Sequence, residues 1–240
     1  RDQLFVTQIG HPIAEIYGYR VDGVFRTQEE IDAYPHLDGT LTGDLRAVDV
    51  NGDGEINDDD KISKGTYAPD FTYGFGANLD YKGFALSFNF VGVEGRTLLD
   101  GDLSSLTEAG EGFALPTQYY FDNRYHPENN PDGFLGQPNF GNFSNSRKIL
   151  RSSVTVDEGN GDYFRFRDVR LGYNVQKNIL DKLSLSGLQI YISGNNLFTS
   201  TKWRGWNPDG TSSNILESGY NTGGNYPIAK TYTVGLKISY

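Results

Sequence analysis

Over the last ten residues of the chain, apolar and polar positions alternate without a break. Tyr232, Val234, Leu236, Ile238 and Tyr240 fall on one face of an extended strand, and Thr231, Thr233, Gly235, Lys237 and Ser239 on the other. The same period of two runs through 71–81, where Phe71, Tyr73, Phe75, Ala77, Leu79 and Tyr81 oppose Thr72, Gly74, Gly76, Asn78 and Asp80. After Lys82-Gly83 it resumes with Phe84, Leu86, Phe88 and Phe90 on one face, which predicts a tight hairpin. Leu188, Ile190 and Ile192 mark another strand. In 163–175, Val169, Leu171, Tyr173 and Val175 share a face that Arg165 and Arg167 continue upstream, which breaks the pattern. Tyr17, Tyr19, Val21 and Phe25 suggest a further strand, interrupted at Asp22-Gly23.

The connections between these strands are unequal. Lys82-Gly83 is short and 176–187 moderate, whereas about 26–70, 91–161 and 200–230 are long, polar and rich in Gly, Asn, Asp and Pro. If the strands run up and down, every long loop falls at one end. A compact soluble domain has little reason to sort its loops this way, and loops beyond about 15 residues are uncommon in one. Transmembrane barrels are sorted like this, with long extracellular loops and short periplasmic turns. A strand with one apolar face suits them too, since closure removes the hazardous edge and lipid covers the apolar side. Five or six strands cannot close such a barrel, which needs at least about 8. More strands are expected on sequence outside these residues or on another chain, and a chain that starts at Arg1 with no Met reads as a piece of a longer polypeptide.

Composition narrows the choices. A formal charge of −10 argues against nucleic acid as a partner, because phosphate binding wants a basic face. The 16 Tyr and 15 Phe suit aromatic girdles at two bilayer interfaces. Cysteine is absent, so disulfides and thiolate chemistry are excluded. No apolar run approaches the ~18 residues of a membrane helix, and no signal-peptide pattern opens the chain.

The sharpest chemical motif is the acidic loop 49–60. Asp49, Asn51 and Asp53 occupy positions 1, 3 and 5 of a calcium-type loop, with Gly54 at the sharp turn. Glu55 would offer its carbonyl, Asn57 a water-mediated contact, and Asp60 stands where glutamate is usual. A structural Ca2+ is the expectation, and a solvated Asx-type turn the alternative. The loop also resembles a single dockerin repeat, without the second copy or a supporting helix, since Gly65 and Pro69 follow. Trp203, Trp206 and Tyr220 are candidate substrate contacts, against interface anchoring or loop packing. For Tyr119–His126, packing is the expectation. His11, His36 and His126 form no metal-ligand spacing, and Gly74-Phe75-Gly76 lacks the third glycine of a dinucleotide fingerprint. No carboxylate pair is placed for acid–base work, so an enzyme is not expected.

Several segments in order resemble the SusC/RagA-like, TonB-dependent outer-membrane transporters. They are 17–25, the acidic loop 49–60, Pro69 through Gly83, 163–173, 188–199, Trp203-Arg204-Gly205, and Tyr226-Pro227 leading into the final strand. The resemblance spans nearly the whole chain. It implies an all-β fold in which 1–240 supply the C-terminal strands of a large antiparallel transmembrane β-barrel, about 22 strands in all. The plug and N-terminal strands would lie outside this sequence. The expected partners are a SusD-like lid lipoprotein, the TonB complex, outer-membrane lipid, and a glycan or peptide substrate. Most members end on Phe, where this chain has Tyr240. The rival reading is a secreted, calcium-stabilised β-rich binding or adhesion domain.

Overall fold

A computed structural model describes residues 4–101, 117–137, 159–221 and 226–240. In chain order the strands and helices are β1 (Phe5–Val6), β2 (Glu15–Tyr19), β3 (Val21–Val24), α1 (Gln28–Ala33), β4 (Leu45–Ala47), β5 (Lys61–Gly65), β6 (Phe71–Tyr81), β7 (Phe84–Glu94), β8 (Leu99–Asp100), α2 (Gln118–Asn123), β9 (Tyr163–Asn174), α3 (Lys177–Leu183), β10 (Gly187–Thr201), β11 (Tyr220–Asn221) and β12 (Thr231–Ser239). They divide into two compact units. A sheet unit comprises Pro69–Gly95, Gly161–Pro208 and Tyr226–Tyr240, and a loop unit gathers Arg1–Ala68, Arg96–Asn160 and Asp209–Asn225.

The sheet unit is one antiparallel sheet in the order β12-β10-β9-β7-β6. Its strands run to 9, 15, 12, 11 and 11 residues. That is the length a tilted strand needs to cross a bilayer, about 9–11 residues. Register aligns the apolar positions across all five strands, as in Tyr81↔Phe84↔Tyr173 and Leu79↔Leu86↔Leu171↔Ile192↔Val234. This apolar face is open: Leu79 is 55% exposed, Leu236 63% and Val234 78%. Among the described residues no helix is long and apolar enough to cross a membrane.

The broken pattern in β9 has a structural cause. Asn89 pairs with Asp168 but Phe90 pairs with Phe166, so Arg167 is an extra residue in β9. One extra residue inverts which side chains face which way. Phe164 and Phe166 therefore join the apolar face, and Arg165 turns to the polar one. The expectation that Arg165 and Arg167 extend the apolar face is corrected accordingly. Beyond the bulge Phe90 stacks on Phe75, Phe164 and Phe166 at centroid separations of 4.8, 5.3 and 4.4 Å. At the other end of the sheet Phe84 meets Tyr173 at 4.8 Å. Two aromatic bands thus flank an aliphatic stretch, as barrel girdles do.

Strand direction confirms the sorting of connections. Lys82-Gly83 and 175–186 link strands at one end, and β12 finishes there. The chain enters β6, and passes from β7 to β9 and from β10 to β12, at the opposite end. Lys82 and Gly83 both have positive φ (49° and 89°), the two-residue primed turn that matches strand twist. The moderate connection contains α3, closed by Ser184 in the left-handed region with its N–H donating to the Asp181 and Leu180 carbonyls.

The loop unit draws its three segments together around small sheets: β1-β2-β5, β3-β4 and the parallel pair β8-β11. Tyr19, Val24, Leu45, Ala47, Ile56 and Tyr125 form one buried cluster, and Ile16 with Leu99 another. The segment expected as one interrupted strand is β2 plus β3, which pair with different partners, and neither joins the five-stranded sheet. Tyr120 is buried and its hydroxyl donates to the Gly136 carbonyl at 2.9 Å. Burial pushes its pKa up to about 12.

Candidate functional site

In the acidic loop the carboxylates of Asp49 and Asp53 already accept from backbone N–H groups. Asp49 takes those of Gly52 (2.6 Å) and Gly54 (2.9 Å), and Asp53 that of Glu55 (2.9 Å). Asn51 accepts from Asp53 N–H at 2.9 Å and donates to the Asp53 carboxylate at 2.9 Å. Gly52 and Gly54 sit at φ +77° and +87° in open space, so the sharp turn is set by backbone conformation alone. Asn57 and Asp60 are occupied elsewhere. They form a capping box on the 3₁₀ turn Asp58–Asp60, where the Asn57 side chain accepts from Asp59 N–H at 2.8 Å and Asp60 from Asn57 N–H at 2.9 Å. The second Asp60 oxygen accepts from Val50 N–H at 2.8 Å, and Asp60 is fully buried.

The six expected ligands therefore split. Asp60 closes the loop by itself, while Asp49 is half-buried and Asn51, Asp53 and Glu55 are exposed. Among the described residues no group of three or more His, Cys, Asp or Glu is placed to hold a metal. The remaining donors are two carboxylates, an amide and a carbonyl, oxygen types that suit a hard cation; a carboxylate oxygen that accepts one N–H keeps a second lone pair.

The aromatic candidates separate as well. Trp206 is 69% exposed and lines a cavity of about 280 Å3 in the sheet unit, together with Arg165, Thr199 and Lys230 among others. Trp203 is buried and packs on Gly205, where an added Cβ would lie 2.6 Å from its indole nitrogen; among the described residues that N–H has no hydrogen-bond partner. Tyr220 belongs to the loop unit. It pairs with Leu99 and meets Phe5 edge-on at 6.5 Å, which is a packing role. Tyr120 and Tyr125 are buried, so the 119–126 stretch packs as expected. The histidines bond locally: His11 to Glu15, His36 to the Tyr34 carbonyl, and His126 to the N–H groups of Glu128 and Asn129.

The polar face of the sheet carries a network that alternation alone did not pick out. The Arg170 guanidinium lies 3.9 Å over the Tyr191 ring and donates to Gln189 at 2.9 Å, and Gln189 donates to Asn174 at 2.9 Å. Tyr191 lies flat over Gly235, its cross-strand partner, and on the apolar face Tyr73 lies over Gly92 in the same way. A tyrosine directly opposite a glycine is the signal that would have revealed both pairs.

No protein-family model matches the chain. Among curated proteins it is similar to TonB-dependent receptor P3 of Formosa agariphila, 31% identical across 99% of this chain, and to TonB-dependent receptor P26 of the same organism, 29% identical across 97%. It spans 23% of the length of each of these relatives. Among solved structures it overlays the RagAB peptide transporter with a TM-score of 0.71 at 18% identity, covering 99% of this chain and 24% of that one. The open-open state of the RagAB peptide importer gives 0.68 at 17% identity, covering 99% and 23%. An open antiparallel sheet with bilayer-length strands, aromatic bands and sorted loops is the corresponding piece of such a barrel. Over nearly its whole length the chain is similar to one segment of TonB-dependent receptors, and it shares the fold of the corresponding barrel segment of the RagAB transporter.

Proposed function

We propose that these residues supply the C-terminal strands of an outer-membrane importer that takes up glycan fragments or peptides with energy delivered by the TonB complex. A SusD-like lipoprotein would close its extracellular mouth, and the plug and remaining strands would come from the rest of the polypeptide. The observation that carries this reading is the open apolar face of five registered strands, which needs lipid rather than water against it. The likeness to a peptide importer supports import as the task and peptide as one cargo class. The decisive experiment is uptake in cells that carry the full receptor, with and without a functional TonB complex. Equal uptake in both would overturn the proposal. Extraction of the protein into buffer without detergent, as a folded monomer, would favour a secreted binding domain instead.

We further propose that Asp49, Asn51, Asp53 and the Glu55 carbonyl hold a structural Ca2+ on an extracellular loop. A calorimetric Ca2+ titration of wild type against Asp53→Ala tests it. The expected result is weaker binding in the variant, and equal affinity sinks the site.

A further inference from the structure

The dipeptide Asn-Gly occurs twice in the chain, as Asn51-Gly52 and as Asn160-Gly161. It is a chemically fragile pair. The glycine nitrogen lies within reach of the preceding side-chain amide carbon, and no Cβ stands in the way of attack. The fold gives the two pairs opposite surroundings.

Asn160 is buried, and one distant residue takes both ends of its amide. Its Oδ1 accepts from Leu98 N–H at 2.7 Å and its Nδ2 donates to the Leu98 carbonyl at 2.8 Å. The carboxamide is thus pinned across to another segment, as a strand partner would be, and water is kept off it.

Asn51 and Gly52 are exposed. Asn51 Oδ1 accepts from Asp53 N–H at 2.9 Å, an Asx turn that folds the carboxamide back along the Gly52 peptide. That N–H stands where negative charge gathers on Oδ1 when the amide carbon is attacked. Nδ2 donates to the Asp53 carboxylate at 2.9 Å, so the group is fixed at both ends. The nucleophile is prepared as well. Gly52 N–H donates to Asp49 Oδ1 at 2.6 Å, which puts a carboxylate in place to take its proton. This donation runs in the peptide plane, whereas an amide nitrogen attacks through its face, which Asp49 leaves open. Gly52 holds φ +77° with nothing within 4 Å of an added Cβ, so its neighbours leave room for a ring to close.

We propose that Asn51-Gly52 is a site of spontaneous covalent modification, in which Asp49 and Asp53 of the same loop promote conversion of Asn51 to aspartate or isoaspartate. The Gly52 nitrogen bonds to the Asn51 side-chain carbon. Its proton passes to Asp49 and on to the side-chain nitrogen, which departs as ammonia when its bond to that carbon breaks. Water then adds to either carbonyl of the succinimide and opens the ring. The carboxylate that forms releases a proton, which the ammonia takes up. Nothing is oxidised or reduced, and no ligand is needed. The aspartate product turns an amide donor of the loop into a carboxylate, and the isoaspartate product routes the backbone through the side chain. The reaction goes beyond the import reading and does not depend on a bound cation.

The test ages the full receptor in detergent micelles, at neutral pH in heavy-oxygen water with a chelator present. Peptide mass spectrometry follows both Asn-Gly pairs, and one heavy oxygen gained marks product formed during the experiment. Asn51 should convert at least about tenfold faster than Asn160. Unfolding the same receptor in guanidinium should speed Asn160 and leave Asn51 no faster, since the fold protects only Asn160. Asp49→Asn keeps an acceptor beside Gly52 but removes the base, and should slow Asn51 at least about tenfold with Asn160 unchanged. Should Asn160 speed up in that variant, its loop unit has opened, and the comparison of folded with unfolded wild type decides. Equal rates at the two pairs in the folded receptor, faster conversion of Asn51 on unfolding, or an unaltered Asn51 rate in a folded Asp49→Asn receptor would overturn the proposal.

Discussion

At the scale of single residues, the most informative case is Asp60. The motif 49–60 is legible as an oxygen-rich turn from residue types and spacing alone. Which oxygens remain for a cation is not, because that depends on a 3₁₀ turn too short to leave a periodic signal. Asp60 accepts from Val50 and Asn57 N–H groups with no solvent access. Asp60→Ala strands both donors, so the loop unit should lose about 2–4 kcal/mol, with Ca2+ present or absent. Denaturant titration under both conditions checks this; a loss seen only with Ca2+ present would show that the residue acts mainly as a ligand. Tyr120 gives a second prediction. Its pKa rises from 10.0 to about 12 on folding, so the folded state favours the neutral phenol. The stability it contributes is complete below pH 10 and is lost as pH climbs from 10 toward about 12. Tyr120→Phe should flatten that alkaline limb, which denaturation midpoints across the same pH range would record.

At the scale of elements, alternation reveals the strands but not the slip within β9. Phe164 and Phe166 look as though they oppose Val169, Leu171 and Tyr173, and only pairing with β7 shows that Arg167 lies outside the count. Deleting Arg167 places Phe166 directly before Asp168, so strict alternation keeps Phe164 and Phe166 on the apolar face and Arg165 on the polar one without a bulge. The deletion variant is expected to assemble and to keep the heat-modifiable band on gels. Loss of that band would contradict the assignment of Arg167 as the extra residue. The short hairpin was easier to read, because Lys82-Gly83 lies between two clean alternating runs. Gly83 has φ +89°, and a Cβ there would lie 3.0 Å from the Asn174 carbonyl and 3.1 Å from the Tyr173 ring. Gly83→Val should therefore cost more than the usual ~1 kcal/mol of a positive-φ substitution, measurable as a drop in Tm of the full receptor.

At the scale of the whole molecule, the apolar face decides what kind of object this is. In water, side chains as open as Val234 and Leu236 would drive aggregation along an unpaired β12 edge. In a bilayer the same exposure is the stabilising contact, and the edge is taken by another strand of the barrel. The two settings predict opposite outcomes for one pair of substitutions on the same strand. Leu236→Arg places a cation on the lipid side, at a cost of about 2–4 kcal/mol near the bilayer midplane. Thr233→Arg places the same charge on the polar face, beside Ser193, where water solvates it. Outer-membrane yield and heat-modifiable migration should fall for the first and hold for the second. In a soluble domain, arginine on an exposed apolar edge would improve solubility instead, so a higher yield of Leu236→Arg would contradict the membrane assignment. Five strands carry enough of the pattern to make this test without the rest of the barrel's sequence in view, because face, register and end are fixed locally by the pairing of each strand with its neighbour.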